Sequence, residues 1–219
     1  MSTMAILAPS LLSADFLRLY EALEIVNKSS AEWLHLDIMD GVFVPNISFG
    51  FPVLAAVQKN CQKPMDVHLM IVEPDRYIER FVKHGAFNIS VHYEACTHLH
   101  RTIQNIHSYG IKAGVAINPH TSVNLLEDII QDIEVVCLMS VNPGFGGQKF
   151  IEHTYSKIDK LKNLIIQKNS KALIEIDGGV DASNIQALIK AGADVLVAGN
   201  SVFGQKDIAA AIEHLHELM

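Results

Sequence analysis

Cysteine is scarce in this sequence: Cys61, Cys96 and Cys137 are odd in number, widely spaced and form no C-x-x-C pair. That argues against a disulfide framework and a cysteine metal site, and a reducing cytosol fits the usage. Positive charge is also short. The formal net charge of −7 over 219 residues leaves no broad basic surface, which speaks against nucleic acid or an anionic membrane as the main partner. A small anionic substrate is compatible, because a local site can be positive inside an acidic chain. Long apolar runs are missing too. The start "MAILAPSLL" is broken by Pro9, lacks a basic flank and is too short to span a bilayer, so it reads as a first strand and not as a signal peptide. No Pro/Gly/Ser linker or low-complexity block divides the chain, which reads as one domain over residues 1–219.

What the sequence has in quantity is short apolar, β-branched segments: "AILAPSL", "WLHLDI", "MDVHLM", "FNISVH", "IKAGVAI", "VVCLMSV", "ALIEID" and "DVLVAG". Each reads as a buried strand. Between them lie stretches with helical spacing, such as "DFLRLYEALEIVNKS", "HLHRTIQNIHSYG" and "YSKIDKLKNLIIQKN". "GFPVLAAVQKN" predicts a short helix after the second strand, and "TSVNLLEDIIQD" a fifth helix capped by Thr121 or Ser122. Eight strands alternating with eight helices force parallel pairing, since each return must cross over. The expected fold is α/β, a single (β/α)8 TIM barrel; an open doubly wound sheet is the competitor.

Two of these strands carry polar residues where alternation puts one face. "WLHLDIMDG" sets His35, Asp37 and Met39 at every second position, and "MDVHLM" repeats the pattern with Asp66, His68 and Met70. His35, Asp37, His68 and Asp177 all fall late in their strands, which in a parallel barrel is the end that carries the site. Taken singly, each has an ordinary reading as a hydrogen-bonded histidine or a capping carboxylate. Taken together, inward-facing His and Asp from three strands need partners, and one divalent metal ion satisfies all four. Two His and two Asp suit Zn, Mn, Fe or Co better than Mg or Ca. His98, His100, His107, His214 and His216 fall on expected surface helices, and His92, ending the fourth strand, is a weaker mouth candidate.

Three glycine turns follow the last three strands: "NPGFGGQKF", "DGGVD" and "AGNSVFG". Glycine by itself only permits a tight turn. Three in succession can aim backbone N–H groups at one anion, and barrels of this type often hold phosphate after strands seven and eight. A phosphorylated substrate is the sharper reading. Met39, Met70 and Met139 are either core fillers or a dry thioether wall beside a charged intermediate.

With these residues assembled, the sequence resembles the ribulose-phosphate 3-epimerases. The resemblance runs through "APSLLSADF", "HLDIMDGVFVPNISFG", "DVHLMIVEP", "NPGFGGQKF", "EIDGGV" and "AGADVLVAGNSVFG", nearly the whole chain. It implies a cytoplasmic, metal-dependent enzyme of the pentose phosphate pathway that interconverts D-ribulose 5-phosphate and D-xylulose 5-phosphate. By the same resemblance the metal is held by His35, Asp37, His68 and Asp177, and Asp37 and Asp177 are the acid/base pair. Ser10 and His68 would contact substrate, and the phosphate would lie on Gly144, Phe145, Gly146, Gly147, Gly178, Gly179, Gly199 and Asn200. Family members commonly have Ser where this chain has Asn200, which favours a backbone contact there.

Removing a proton beside a ketose carbonyl gives an ene-diolate, and two carboxylates on opposite faces can exchange acid and base roles. Asp37 is expected as base and Asp177 as acid in the ribulose direction. "VFVPNISFG" and "GFGGQ" are candidate lids. One rival is an epimerase of a six-carbon ketose such as D-allulose 6-phosphate. Another is a non-catalytic sugar-phosphate sensor, whose expected mark, loss of Asp37 or Asp177, is not seen. A Schiff-base aldolase is disfavoured because Lys112 and Lys171 fall at strand starts. The resemblance implies a homo-oligomer, a dimer or a hexamer.

Overall fold

The computed structural model describes residues 5–219, so Met4 of the first apolar run and the start of the proposed domain lie outside the described residues. Eight parallel strands form one sheet in the order β1-β8-β7-β6-β5-β4-β3-β2. They are β1 Ile6–Pro9, β2 Leu34–Met39, β3 Met65–Met70, β4 Ala86–His92, β5 Lys112–Ile117, β6 Val135–Met139, β7 Leu173–Asp177 and β8 Val195–Ala198. Every expected strand forms. The open alternative is excluded, because β1 pairs with β8 and no strand order reverses within the sheet. Closure between β1 and β2 runs through a parallel bridge of Ser10 with His35 and through the N–H groups of Glu32 and Trp33, which both donate to the Leu7 carbonyl. The architecture is a (β/α)8 barrel.

The helices are α1 Leu19–Lys28, α2 Phe51–Asn60, α3 Ile78–Lys83, α4 Leu99–Ser108, α5 Thr154–Gln167, α6 Ile185–Ala191, α7 Asn200–Phe203 and α8 Ile208–Glu217. In α4 the buried residues Leu99, Thr102, Ile103 and Ile106 step by three and four, which makes one stripe against the sheet. Gly192 ends α6 at φ 118°, a left-handed position that glycine takes without strain. The fifth crossover departs from expectation. Residues 121–132 form two 3₁₀ turns, Val123–Leu126 and Ile130–Asp132, in place of an α-helix. Ser122 caps the first of them, as expected from sequence, by accepting from the N–H of Asn124 two residues on. Val123, Leu126, Ile130 and Ile133 still reach the core, because steps of three and four serve 3₁₀ turns as well. The helix that this crossover lacks is balanced by two after β8, where the short α7 precedes α8.

Outward strand residues such as Leu36, Val67, Ile89 and Ile176 pack on the helices in the main core. Inward residues fill the barrel. At the amino-terminal end Trp33, Val135 and Val195 form an apolar plug with Phe87 and Leu173. The Lys112 ammonium lies over the Phe87 ring at 4.5 Å, at this end and away from the mouth. Above the plug the interior turns polar, which is unusual for a packed barrel.

Candidate active site

Strand register stacks the polar residues in tiers. His35 pairs with Asp66, Asp37 with His68, and Met39 with Met70; on the far side Cys137 pairs with Glu175 and Met139 with Asp177. Because side chains alternate, residues two apart on one strand share the inward face at successive depths. The lower tier holds Asp66, Asn88, Ser90 and Glu175, all fully buried, around the His35 ring. Asp66 takes His35 Nδ1 at 2.7 Å on one oxygen and Asn88 Nδ2 at 2.6 Å on the other. A side chain on Gly114 would strike Ser90 Oγ, so β5 carries glycine where the tier closes.

The upper tier is the constellation expected from sequence. His35, Asp37, His68 and Asp177 each offer a ligand atom, all within 4.8 Å of one another. His68 Nδ1 stands 3.2 Å from Asp37 and 3.2 Å from Asp177, and His35 Nε2 is 3.4 Å from Asp37 and 3.9 Å from Asp177. The Ser10 hydroxyl donates to the second oxygen of Asp37 at 2.5 Å.

Burial would raise Asp37, but His35 and His68 outweigh it and hold the carboxyl far below its usual range. Burial would lower His68, yet Asp177 and Asp37 push it up to about 9. His35 is likewise raised well above its usual value, with Asp37 and Asp66 overcoming its burial. Glu175 moves the other way: burial and the neighbouring Asp66 raise it well above the carboxylate range.

One observation tests whether the donor set suits a metal. His35 Nε2 is buried and makes no hydrogen bond, although it faces two carboxylates. A buried nitrogen that makes no hydrogen bond is costly. Two imidazole nitrogens and two carboxylate oxygens converging on one point satisfy it with a cation of the zinc, iron, manganese or cobalt kind. The cluster is a candidate metal site.

Above it opens a cleft of about 1460 Å³ lined by Ser10, Asp37, Asp177, Met39, Met70 and Met139, and by the three glycine turns. Gly144, Phe145, Gly146 and Gly147 come from the loop after β6, Gly178 and Gly179 from the loop after β7, and Gly199 and Asn200 from the start of α7. Gly179 holds φ 64°, and a side chain there would meet the Phe150 N–H nitrogen at 2.8 Å. Asn200 Oδ1 folds back to the space that a Gly204 side chain would fill. Met39 and Met70 pack with Val44, and Met139 with Cys137 and Val141, so they serve as core and as cleft wall together. Asn46 Nδ2 donates to the Gly144 carbonyl at 2.8 Å, joining the two loops singled out as lids.

Among the surface histidines, His98, His100 and His214 are exposed, while His107 and His216 are partly buried against Glu134 and Glu32. The weaker candidate, His92, is fully buried with its Nε2 at 2.9 Å from His68 Nε2. Of the lower tier only Asp66 stands out in the sequence pattern; Asn88, Ser90 and Glu175 do not, although Glu175 stands two residues before Asp177 on the same face.

A sequence model of the Ribulose-phosphate 3 epimerase family matches residues 6–203. The chain belongs to that family. It is thereby an enzyme, an isomerase acting on a phosphorylated sugar. The ribulose-phosphate 3-epimerase of Bacillus subtilis (strain 168) is 52% identical over 209 residues, covering 95% of this chain and 96% of that protein. The chloroplastic ribulose-5-phosphate-3-epimerase of Arabidopsis thaliana is 47% identical over 210 residues, covering 95% of this chain and 75% of that protein. A solved structure of 3-hexulose-6-phosphate synthase superposes with a TM-score of 0.70 at 19% identity, over 98% of this chain and 99% of that one, which shows a shared fold. Among the described residues of this family member no helix is long and apolar enough to cross a membrane.

Proposed function

We propose that the chain, a single domain over residues 1–219, is a metal-dependent epimerase interconverting D-ribulose 5-phosphate and D-xylulose 5-phosphate in the pentose phosphate pathway. The reading rests on one observation above all: two carboxylates and two imidazoles converge in a dry tier, with His35 Nε2 making no hydrogen bond. Family membership supplies the substrate class.

His35, Asp37, His68 and Asp177 would hold the metal. When bound, a divalent ion supplies electrophilic stabilisation of the negative charge that develops on the substrate's carbonyl oxygen. The chain's own groups do the rest. Asp37, kept ionised by the two histidines and oriented by the Ser10 hydroxyl, takes the proton from the third carbon in the ribulose direction. Asp177, reaching the cleft from β7, returns a proton to the opposite face, and the roles reverse in the other direction. The buried thioethers of Met39, Met70 and Met139 keep water away from the planar ene-diolate. Backbone N–H groups of the turns at Gly144–Gly147, Gly178–Gly179 and Gly199–Asn200 take the phosphate. Loops 42–50 and 144–148 cover the mouth. The working form is a homo-oligomer in the cytoplasm, without nucleic acid or membrane as partner.

Proton NMR of the protein with D-ribulose 5-phosphate in heavy water, before and after chelation, tests this. Xylulose 5-phosphate carrying deuterium at the third carbon, lost on chelation and restored by metal, is expected. No product and no exchange with metal restored refutes the reading.

A further inference from the structure

A line of polar groups running from the buried His68 through the buried His92 to the partly exposed Glu94 is not used by the chemistry above. His68 turns Nδ1 towards Asp37 and Asp177, and its Nε2 lies 2.9 Å from Nε2 of His92. The two rings are inclined by only 24° with centroids 5.0 Å apart. With the nitrogens that close, this is the edge-to-edge placement of an in-line hydrogen bond and not face stacking. On its far edge His92 Nδ1 stands 3.2 Å from Glu94 Oε2. Glu94 Oε1 accepts from the backbone N–H of Asn118 at 2.9 Å and from the Thr121 hydroxyl. Lys157, on α5, donates to the Asn118 carbonyl at 2.7 Å and steadies that segment. Phe43 packs on the His92 ring, with centroids 4.6 Å apart.

The protons along this line can be counted. A neutral imidazole has one N–H and one lone pair, and a carboxylate only accepts. Glu94 therefore requires the His92 proton on Nδ1, which leaves His92 Nε2 as an acceptor. His68 must then carry N–H on Nε2, and when Nδ1 gives up its proton on metal binding the lone pair there faces the two aspartates. We propose that His92 and Glu94 are positioning residues that fix the tautomer of His68, so that its Nδ1 lone pair is offered to the metal. This rests on the metal-site reading above. It differs from a packing role, because the information passed along the line is the direction of hydrogen bonds.

The isosteric change Glu94→Gln separates the two. The Asn118 N–H is backbone and cannot turn, so it keeps the oxygen of the new side-chain amide, and the amide nitrogen faces His92. His92 must then accept on Nδ1 and carry its proton on Nε2, which sets N–H against N–H at His68 unless His68 also reverses. The probe is zinc(II) added to the chelated full-length chain, with affinity read by competition against a chromophoric chelator. Ring 15N NMR reads the tautomers. Zinc binding weaker by about 10–100-fold in Glu94→Gln, with the His92 proton moved from Nδ1 to Nε2, is expected. The unaltered protein, which needs no variant to fold, must itself show His92 protonated on Nδ1. Zinc affinity within twofold of the unaltered protein, or a His92 proton that stays on Nδ1, overturns the relay while leaving the metal site standing. No zinc binding by the unaltered protein overturns both.

Discussion

The closure of the lower polar tier at Gly114 predicts a specific cost. A methyl group at this position would strike Ser90 Oγ and would sit 3.0 Å from Ser90 Cβ and 3.1 Å from Ser90 Cα. The hydroxyl can swing aside, but the two carbons are fixed to the β4 backbone, which is paired on both sides. Overpacking of this size costs about 1–3 kcal/mol. Turning the hydroxyl away also removes the acceptor that Ser90 offers to Asn88 Nδ2 at 3.1 Å, worth about 0.5–1.5 kcal/mol. Gly114→Ala should therefore destabilise the barrel by about 2–4 kcal/mol, at about 2–4 °C of melting temperature per kcal/mol for a chain of this length. Urea unfolding of the single variants and of Ser90→Gly/Gly114→Ala forms a double-mutant cycle. A coupling above about 1 kcal/mol in favour of the double variant is expected, because only the approach to the backbone of residue 90 then remains tight. A Gly114→Ala loss below about 0.5 kcal/mol, the range of an uneventful surface change, would show that the tier is loose and that glycine is not required by Ser90.

Asp37→Asn and Asp177→Asn should each abolish epimerisation while circular dichroism shows a folded barrel; substantial turnover in either removes the two-carboxylate mechanism. Asp66→Ala strips His35 Nδ1 and Asn88 Nδ2 of their buried acceptor and should cost about 3–5 kcal/mol in urea unfolding. A loss under about 1 kcal/mol would mean that Asp66 is not the charge partner of His35. Lys157 gives a pH dependence: burial pushes it down to about 8. Between that pH and the ordinary lysine value near 10.5 the unfolded chain holds a proton that the folded chain has lost. Stability contributed there should rise with pH. The difference in unfolding free energy between the unaltered chain and Lys157→Met, followed from pH 7.5 to 10, should grow in favour of the unaltered chain; a flat difference refutes the depressed amine.

Strand positions were legible because a buried parallel strand leaves a run of β-branched and aliphatic residues that no helix here imitates. The candidate metal cluster was legible because His35, Asp37 and His68 break those runs on one face. The fifth crossover misled for a physical reason. Val123, Leu126, Ile130 and Ile133 have the spacing of an amphipathic helix, and hydrophobic spacing does not distinguish α from 3₁₀ when the helix is this short. The Ser122 cap, accepting from the Asn124 N–H, starts either kind of turn and does not choose between them. Asn200 shows the same limit on a smaller scale: its side chain folds against Gly204, four residues away in sequence, in a conformation that no pattern announces.

The lower tier lies one step further along the alternation rule. If His68 and Asp177 face inward, so must Asp66 and Glu175, and "FNISVH" places Asn88, Ser90 and His92 on the same face. Position along such a face is depth: Trp33 plugs the barrel, His35 is the supported ring, Asp37 faces the cleft and Met39 walls it, in the order of the chain. A buried carboxylate two residues before a cleft residue therefore has a structural meaning of its own. It cannot touch substrate, and burial of an acid costs unless it is paired. Asp66 is paired, with His35 and Asn88, and its presence is explained by what it does to His35. Glu175 makes no hydrogen bond on either oxygen, and burial together with the neighbouring Asp66 charge pushes its carboxyl well above the usual range. The conflict between local stability and buried polarity is concentrated in the tier that holds the histidines, which is where a fold that otherwise follows its hydrophobic pattern gives it up for chemistry.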